Sequence, residues 1–261
     1  MDDVQISVVI PTLNEAENLP ELMDRLQASL RRRRYEVLIV DDGSVDGTVA
    51  VCAALAMRHP LRLLRRTGAE DGLAGAVIAA FQRARGKYLV VMDGDLQHPP
   101  EAIGAMLIPL EHEQADFVIG CRHLAGASID AAWPVRRRIA SRLARWLARP
   151  IAGPLRDPMS GFFAIRQSVY ASARALAPVG YKIALELLCK RAFGRVCEVP
   201  IHFGTRRHGT SKLSLGQSVS FLRHLARLYA WRYFGFRVAP TPSGRVVEVA
   251  HGDFQTARRA A

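Results

Sequence analysis

The chain has 261 residues, of which 49% are hydrophobic, so it is long enough for one large domain with a hydrophobic core. Its formal net charge of +12 favours a polyanionic partner, and composition alone leaves nucleic acid, an anionic membrane surface and phosphorylated substrates open. The acidic start Met1-Asp2-Asp3 does not fit a signal peptide. The chain contains no uninterrupted run of about 18 apolar residues, so no transmembrane helix is predicted.

Apolar runs alternate with helical periodicity through the first half of the chain. Strands are predicted at residues 6–10, 37–40, 61–64, 88–92 and 117–120, and helices at 17–30, 49–57, 73–83 and 103–110. This alternation is typical of βαβ units. It predicts an α/β fold with a mostly parallel, Rossmann-like sheet and helices on both faces.

The second half of the chain is less regular. Its predicted elements are a cationic helix at 135–149, a helix at 183–192, a strand at 196–203 and an aromatic, basic helix at 221–237. We therefore predict one α/β domain over residues 1–214, an amphipathic membrane-interface helix region over 215–238 and a weakly structured tail over 239–261. The four cysteines show no CxxC spacing and lie in apolar surroundings, which indicates reduced core thiols in a cytosolic protein.

Polar residues follow several of the predicted strands directly. In open parallel sheets the ligand site lies beyond the carboxyl ends of the strands, so these residues are site candidates. No GxGxxG follows the first strand, and the chain therefore lacks the dinucleotide-binding fingerprint at that position. The candidates are Asn14, Glu15, Asp41, Asp42, Asp93, Asp95 and Arg122.

The stretch VVMDGDLQHPP ends the fourth strand with two aspartates. In extended backbone Asp93 and Asp95 face the same way, about 6–7 Å apart, and their repulsion at an effective dielectric near 20 is about 2–3 kcal/mol. A divalent cation, Mg²⁺ or Mn²⁺, would replace this repulsion with coordination, and Gln97 can add a neutral oxygen. Gly94 is expected to let a ligand approach the backbone closely. The alternative is a helix-start turn, which explains the double proline but not both aspartates.

The stretch VDDGSVDGT, residues 40–48, follows the second strand. Asp41 and Asp42 can accept hydrogen bonds from a nucleobase or a ribose, whereas all of the stretch can also be turn and cap chemistry. Ligand contact is the favoured reading for Asp41. A turn is favoured for Ser44 and a helix cap for Asp46.

These stretches belong to a longer series that runs in order across most of the chain. The series is SVVIPTLNEAENL (7–19), VDDGSVDGT (40–48), VVMDGDLQHPP (90–100), IGCR (119–122), DPMSGFFA (157–164), YKIALELL (181–188) and FGTRRHGTSKL (203–213). It resembles the family 2 inverting glycosyltransferases of GT-A fold, and more narrowly the dolichol/polyprenol-phosphate mannosyltransferases. The first three stretches are common to many sugar transferases, and the last four are more specific.

The resemblance implies a nucleotide-sugar donor, GDP-mannose, a polyprenyl phosphate acceptor, and Mg²⁺ or Mn²⁺. The residues implied around the nucleoside are Pro11, Leu13, Glu15 and Asp41, and those for metal and diphosphate are Asp93, Gly94, Asp95 and Gln97. The residues implied for donor or acceptor phosphates are Arg122, Lys182, Arg206 and Lys212, with Arg137 and Ser141 also for the acceptor phosphate. Leu13 stands where an aromatic residue is usual. For Lys182, Arg206 and Lys212 the alternative is a solvated basic surface.

The implied reaction builds negative charge on a departing diphosphate. Countercharge for it is expected from a metal on Asp95 and Gln97 and from Arg122, Arg206 and Lys212. A phosphate monoester is already an anionic nucleophile near neutral pH, so no general base is obligatory. Asp157 can still act as a base, orient an arginine or cap a helix, and these alternatives stay open.

The cationic helix predicts contact with a lipid surface. Val135, Ile139, Leu143, Trp146 and Leu147 share one face, while arginines occupy the others, as in a helix at an anionic membrane. The aromatic and basic stretch 221–237 has the same character. The alternative for both is packing on the core. Without a spanning helix, a lipid acceptor requires peripheral binding on the cytoplasmic face of a membrane or a membrane-anchoring subunit, and both stay open.

Two rival functions remain to be separated by experiment. The same fold could use a UDP-sugar, such as UDP-glucose, with undecaprenyl phosphate. A non-catalytic nucleic-acid-binding protein is disfavoured, because acidic groups at several strand ends repel a phosphate backbone. We therefore expect no nucleic-acid partner.

Overall fold

The computed structural model describes residues 4–67, 72–130, 135–172, 176, 182–190, 194–208, 215–236 and 245–249. The strands in these ranges are β1 (Ile6–Thr12), β2 (Tyr35–Asp41), β3 (Leu61–Thr67), β4 (Tyr88–Val91), β5 (Phe117–Cys121), β6 (Ser128–Ile129), β7 (Phe163–Arg166), β8 (Val196–Pro200), β9 (His202–Phe203) and β10 (Arg245–Val249). The helices are α1 (Leu19–Leu30), α2 (Thr48–Leu55), α3 (Gly72–Phe81), α4 (Ile103–Glu111), α5 (Val135–Ala152), α6 (Gln167–Ala171), α7 (Ile183–Cys189) and α8 (Leu215–Phe234), and a 3₁₀ turn at Pro100–Ala102 precedes α4.

The large sheet has the strand order β10-β3-β2-β1-β4-β7-β5-β8. Strands β3, β2, β1 and β4 are parallel neighbours, and Ile6 lies opposite both Tyr35 and Tyr88. Both β4 and β5 are antiparallel to β7, so they run in the same direction as each other. The carboxyl ends of β1, β2, β4 and β5 therefore lie at one edge, and the predicted α/β sheet with helices on both faces is confirmed.

Side chains that alternate along the central strands fill two cores, one on each face of the sheet. In α1 the buried positions Leu19, Leu22, Met23, Leu26 and Leu30 form one apolar stripe. Helices α1, α2 and α4 contribute to one core, and α3, α5, α7 and α8 contribute to the other. Each fully buried Leu or Met stabilises the fold by roughly 1.5–3 kcal/mol relative to exposure.

The second half of the chain differs from its prediction in three places. β7 comes from a stretch for which no strand was predicted, and all but its last residue are buried at the centre of the sheet. The single strand predicted at 196–203 is two strands in different sheets, which Ile201 separates. Residues Arg245–Val249 pair antiparallel with β3, so the prediction of weak structure is wrong for these five residues of the tail.

The four cysteines are free thiols. Cys52, Cys121 and Cys189 are buried, and Cys197 is partly exposed on β8. Within the described ranges, no helix combines the length and the apolar character that crossing a membrane requires.

Candidate active site

The loop after β4 has a strained backbone that its neighbours hold in place. Leu96 has φ of 64° although it is not glycine, a conformation that costs on the order of 1–3 kcal/mol. The buried His98 ring packs between Phe162 and Phe203, with ring centroids 5.2 and 5.3 Å away. Its Nδ1 accepts a hydrogen bond of 3.0 Å from the backbone N–H of Asp93. Burial lowers the pKa of His98, which keeps this nitrogen an acceptor at neutral pH.

Asp95 is buried and paired with an arginine that is distant in sequence. Its Oδ2 accepts hydrogen bonds from Nε and Nη2 of Arg206 at 3.1 and 2.7 Å, and its Oδ1 accepts the Gln97 backbone N–H. Gln97 Nε2 donates to the carbonyl of Gly204, whose N–H donates back to the Gln97 carbonyl. The structure therefore brings together three predicted site residues, Asp95, Gln97 and Arg206. Lys212 lies outside the described residues.

The donor set after β4 suits a hard divalent cation. Asp93, Asp95 and Gln97 offer only oxygen ligands, and the Asp93 side chain is 39% exposed to solvent. Over the described part of the chain, no group of three or more His, Cys, Asp or Glu side chains converges on one point. A cation here would take its remaining ligands from water or from phosphate oxygens, which is how Mg²⁺ is usually bound.

Two glycines lie beside the aspartates of this loop. A Cβ built at Gly94 would lie 3.4 Å from Ile10 and 3.6 Å from Glu15, in ordinary contact with the protein interior, and close approach of a ligand to its backbone stays a prediction. A Cβ at Gly161 would lie 3.7 Å from both carboxylate oxygens of Asp93, so a side chain there would contact a predicted metal ligand.

Arg122 follows β5 and is bound by Asp157 from the loop before β7. Its Nε and Nη2 donate to the two carboxylate oxygens at 2.7 and 2.9 Å, and its backbone N–H donates at 3.1 Å. Burial raises the pKa of Asp157, but the hydrogen bonds and charge of Arg122 lower it more, so the net pKa is below its ordinary value. Asp157 therefore orients Arg122 in this arrangement, and its role as a general base stays a prediction. Within the described residues no helix starts directly after Asp157, so the helix-cap reading is wrong.

The loop that contains Asp157 also supports the neighbouring cation. Lys182 Nζ donates to the Met159 carbonyl at 2.7 Å. The charges of Arg122 and Lys182 both act to lower the pKa of His98, which places them close to the loop after β4. His98, Gly161, Phe162 and Phe203 were not predicted as site residues, although all four lie inside the stretches that carry the family resemblance.

The loops after β1 and β2 are joined by side-chain hydrogen bonds. The Asn14 N–H donates to Ser44 Oγ at 2.8 Å, and the Glu15 N–H donates to Thr48 Oγ1 at 3.0 Å. Asp46 accepts from the N–H and the hydroxyl of Thr48 at the start of α2 and from the Ala16 N–H. The turn predicted at Ser44 is confirmed by its backbone hydrogen bond to Asp41. The N-cap of α2 is Gly47, so Asp46 stabilises the start of this helix from one position before the cap.

The residues expected around a nucleoside lie in and beside these two hydrogen-bonded loops. Asp41 is fully buried and accepts hydrogen bonds from the backbone N–H groups of Gly43 and Ser44. Asp42 pairs with Arg66, with 2.8 Å between Oδ1 and Nε. Of the other three residues expected around the nucleoside, Pro11 at the end of β1 and Glu15 are buried, and Leu13 is 38% exposed. Their contact with a nucleoside stays a prediction.

Helix α5 exposes much of its apolar stripe. Ile139, Leu143 and Trp146 are 59%, 55% and 70% exposed, whereas Leu147 packs against the core. Core packing therefore explains only part of the pattern. Ser141 is half-buried on this helix, and the side chain of Arg137 lies outside the described residues.

Helix α8 packs one face on the core and exposes the other. Phe221, Leu225 and Leu228 are buried, and the hydroxyl of Tyr229 donates to the Leu147 carbonyl of α5 at 2.8 Å. The exposed apolar side chains of this helix are Val219, Leu222, Tyr233 and Phe234.

Residues 7–172 match the family model described as Glycosyl transferase family 2. The chain is 41% identical over 231 residues to a dolichol-phosphate mannosyltransferase of Pyrococcus furiosus, covering 87% of this chain and 64% of the relative, or slightly under two thirds of its length. It is 41% identical over 237 residues to a protein of the same name from Mycosarcoma maydis, covering 87% and 80%. Glucosyl-3-phosphoglycerate synthase of Mycobacterium tuberculosis, solved with Mn²⁺, UDP-glucose and phosphoglyceric acid, has a similar fold, with a TM-score of 0.65, 21% identity and coverage of 90% and 81%.

Proposed function

Because the chain belongs to glycosyl transferase family 2 and is a glycosyltransferase, we propose that it moves mannose from GDP-mannose to a polyprenyl phosphate with inversion at the anomeric carbon. The observation that carries the proposal is the cluster at the carboxyl edge of the sheet. There Asp95 pairs with Arg206 and accepts the Gln97 N–H, Asp93 lies in the same loop, and Arg122 is fixed by Asp157. The mannosyltransferase names of its relatives support the sugar and the acceptor class.

The donor diphosphate would lie beside the loop after β4. Asp95, Gln97 and Asp93 would hold Mg²⁺ or Mn²⁺, as the structural neighbour solved with Mn²⁺ and UDP-glucose supports. The cation would neutralise charge that develops on the departing diphosphate. Arg206 pairs with Asp95 at the edge of this loop, and its guanidinium would also neutralise the diphosphate oxygens. Lys212 is proposed to join it there.

The acceptor phosphate would lie beside Arg122. A phosphate monoester carries its own negative charge near neutral pH, so its oxygen attacks without a base. The engagement of both Asp157 oxygens by Arg122 supports this mechanism, because it leaves the nearby carboxylate poorly suited to proton abstraction. Arg137 and Ser141 of α5 are proposed to complete the acceptor-phosphate site, and Lys182 to support the donor side.

The lipid acceptor would be reached from a membrane surface. The exposed apolar side chains of α5 and α8, interspersed with arginines, support peripheral binding to an anionic bilayer. Four free thiols support a reducing compartment and hence the cytoplasmic face. A membrane-anchoring subunit is the alternative arrangement.

The decisive experiment incubates the purified chain and Mn²⁺ with a short polyprenyl phosphate and, in parallel, GDP-mannose or UDP-glucose. Polyprenyl-phosphate mannose of inverted configuration, seen by mass spectrometry and NMR, is the expected product. Product from UDP-glucose alone would refute the donor assignment, and retained configuration would refute the inverting mechanism.

Asp95→Asn tests the proposed metal site in the same assay. Turnover with Mn²⁺ is expected to fall by at least about a hundredfold, because one coordinating carboxylate is lost. Glu101→Gln, which removes a carboxylate that pairs with Arg25 at the surface, is the matched control and should leave turnover unchanged. Wild-type turnover that persists in excess chelator would refute the metal role.

A further inference from the structure

A cationic groove runs between α5 and residues 153–156, beside the active site. Its volume is about 650 Å³, within the size range of ligand pockets. It is lined by His123, Arg142, Arg145, Trp146, Arg149 and Arg156, and in the described structure no carboxylate side chain is among the lining residues. Four guanidinium groups around one open space favour an anion.

Two polar atoms in the groove wall have unmet hydrogen-bonding capacity. Nε of Arg145 and Nε2 of His123 are inaccessible to solvent and have no hydrogen-bond partner within the described ranges. Nη1 of Arg145 donates to the Arg156 carbonyl at 3.3 Å, which ties the helix to the other wall. Burial is the largest cause of the lowered pKa of Arg145; the charge of Asp157 opposes it, and the charges of Arg122 and Arg142 add to it. An anion in the groove would relieve this crowding of positive charge.

The groove is contiguous with a second, more apolar one. That cavity, of about 390 Å³, is lined by Leu147, Pro150 and Tyr229 and shares Trp146 and Arg149 with the first. A cationic groove beside an apolar groove suits an amphiphile with a phosphate at one end and a hydrocarbon chain at the other. Because the exposed stripe of Ile139, Leu143 and Trp146 lies on the same helix, a bilayer that meets the stripe also meets the groove.

The groove arginines differ from the proposed acceptor-phosphate residues. Arg142, Arg145 and Arg149 of α5 recur at the spacing of one helix face, and Ser141 is not among the residues that line the groove. Arg122, which is proposed to contact the acceptor, is likewise not a lining residue, and its guanidinium is bound to Asp157. The groove is therefore adjacent to the reaction site and separate from it.

We infer that the groove between α5 and residues 153–156 binds the phosphodiester headgroup of an anionic bilayer phospholipid. The bound lipid is neither donor nor acceptor in the proposed reaction, and it seats α5 in the membrane. This inference rests on the proposed function only for the expectation that the acceptor is a lipid. Binding is measured without a nucleotide sugar, so failure of the transfer reaction would not affect this test.

The test measures binding of the full chain to vesicles of phosphatidylcholine alone or mixed with phosphatidylglycerol. Arg145→Gln is compared with Arg138→Gln, which removes the same charge from an exposed position of α5 outside the groove. Loss of a general surface charge weakens binding by about fivefold at most, whereas loss of hydrogen bonds to a bound phosphate should weaken it at least about tenfold. Arg149→Gln repeats the measurement if Arg145→Gln fails to fold.

The inference is supported if Arg145→Gln weakens binding to mixed vesicles well beyond Arg138→Gln and leaves the KM for a short-chain polyprenyl phosphate, measured without a bilayer, unchanged. Equal losses of vesicle binding for the two variants would overturn the inference, because attraction between general surface charge and the bilayer would then explain the binding. A raised KM would show that the groove belongs to the acceptor. Release of the wild-type chain from mixed vesicles by inorganic phosphate, at an ionic strength where chloride does not release it, would show a site for small anions.

Discussion

Replacing Asp157 with asparagine removes the charge beneath Arg122 while keeping the shape of the side chain. Asp157 is fully buried and the Arg122 side chain is 11% exposed, so the arginine would be left buried without its counter-ion. Loss of one partner of a buried ion pair costs about 3–5 kcal/mol. We expect the free energy of unfolding to fall by at least about 3 kcal/mol and Tm by roughly 6–12 °C, measured by urea and thermal unfolding.

A matched pair at the surface isolates the contribution of burial. Arg25 and Glu101 make the same bidentate contact, with both N–O distances at 2.9 Å, but the Glu101 side chain is 55% exposed. Glu101→Gln is therefore expected to cost less than about 1 kcal/mol. If Asp157→Asn costs no more than this control, the argument that the buried Arg122 depends on Asp157 as its counter-ion is refuted.

The pH dependence of the same variant provides a second check. The pKa of Asp157 is lowered in the folded state, because the hydrogen bonds and charge of Arg122 outweigh the opposing effect of burial. A carboxylate with a depressed folded-state pKa stabilises the fold above its unfolded value of about 3.9, and this stabilisation disappears as pH falls through the folded value. The difference in unfolding free energy between wild type and Asp157→Asn should shrink below about pH 4. A difference that is constant across this range would contradict the assignment.

Gly86→Ala should lower the free energy of unfolding, measured in urea, by at least about 2 kcal/mol, since the new Cβ would lie 2.4 Å from a backbone nitrogen of β1. Gly94→Ala should cost less than about 1 kcal/mol, and equal costs would contradict the packing at both sites. Asp46→Ala should lower the free energy of unfolding by about 1–2 kcal/mol in the same measurement, because two hydrogen bonds at the start of α2 and one from the Ala16 N–H are lost. Burial raises the pKa of the Cys52 and Cys121 thiols to about 12 and that of Cys189 to about 11, so a disulfide reagent at pH 8 should label only Cys197 rapidly before denaturant is added. Rapid labelling of more than one thiol in the native protein would contradict that burial.

The order of the first strands and helices could be predicted from the sequence because hydrophobic periodicity is a local property. The apolar runs before Asp41 and Asp93 are buried strands, as predicted. In a parallel sheet the direction of the strands then determines that the residues after them share an edge. The same locality explains the turn at Ser44, which bonds Asp41, and the hydrogen bonds of Asp46 with Thr48 at the start of α2.

The contacts that complete the site could not be predicted in the same way, because their partners are distant in sequence. Asp95 meets Arg206 across 111 positions, and Arg122 meets Asp157 across 35. Nothing in the stretch DPMSGFFA indicates that its last residues enter the sheet between β4 and β5 in the opposite direction. This insertion brings Asp157 to Arg122 and Gly161 to Asp93.

The layered α/β architecture and the edge at which its polar residues lie can therefore be predicted from the sequence alone, since both follow from local periodicity and the direction of the strands. Which charges are paired at that edge, and which face of α5 is exposed, depends on the tertiary packing. An amphipathic pattern shows that a helix has an apolar stripe, but whether Leu143 and Trp146 are covered depends on what other segments of the chain pack against them.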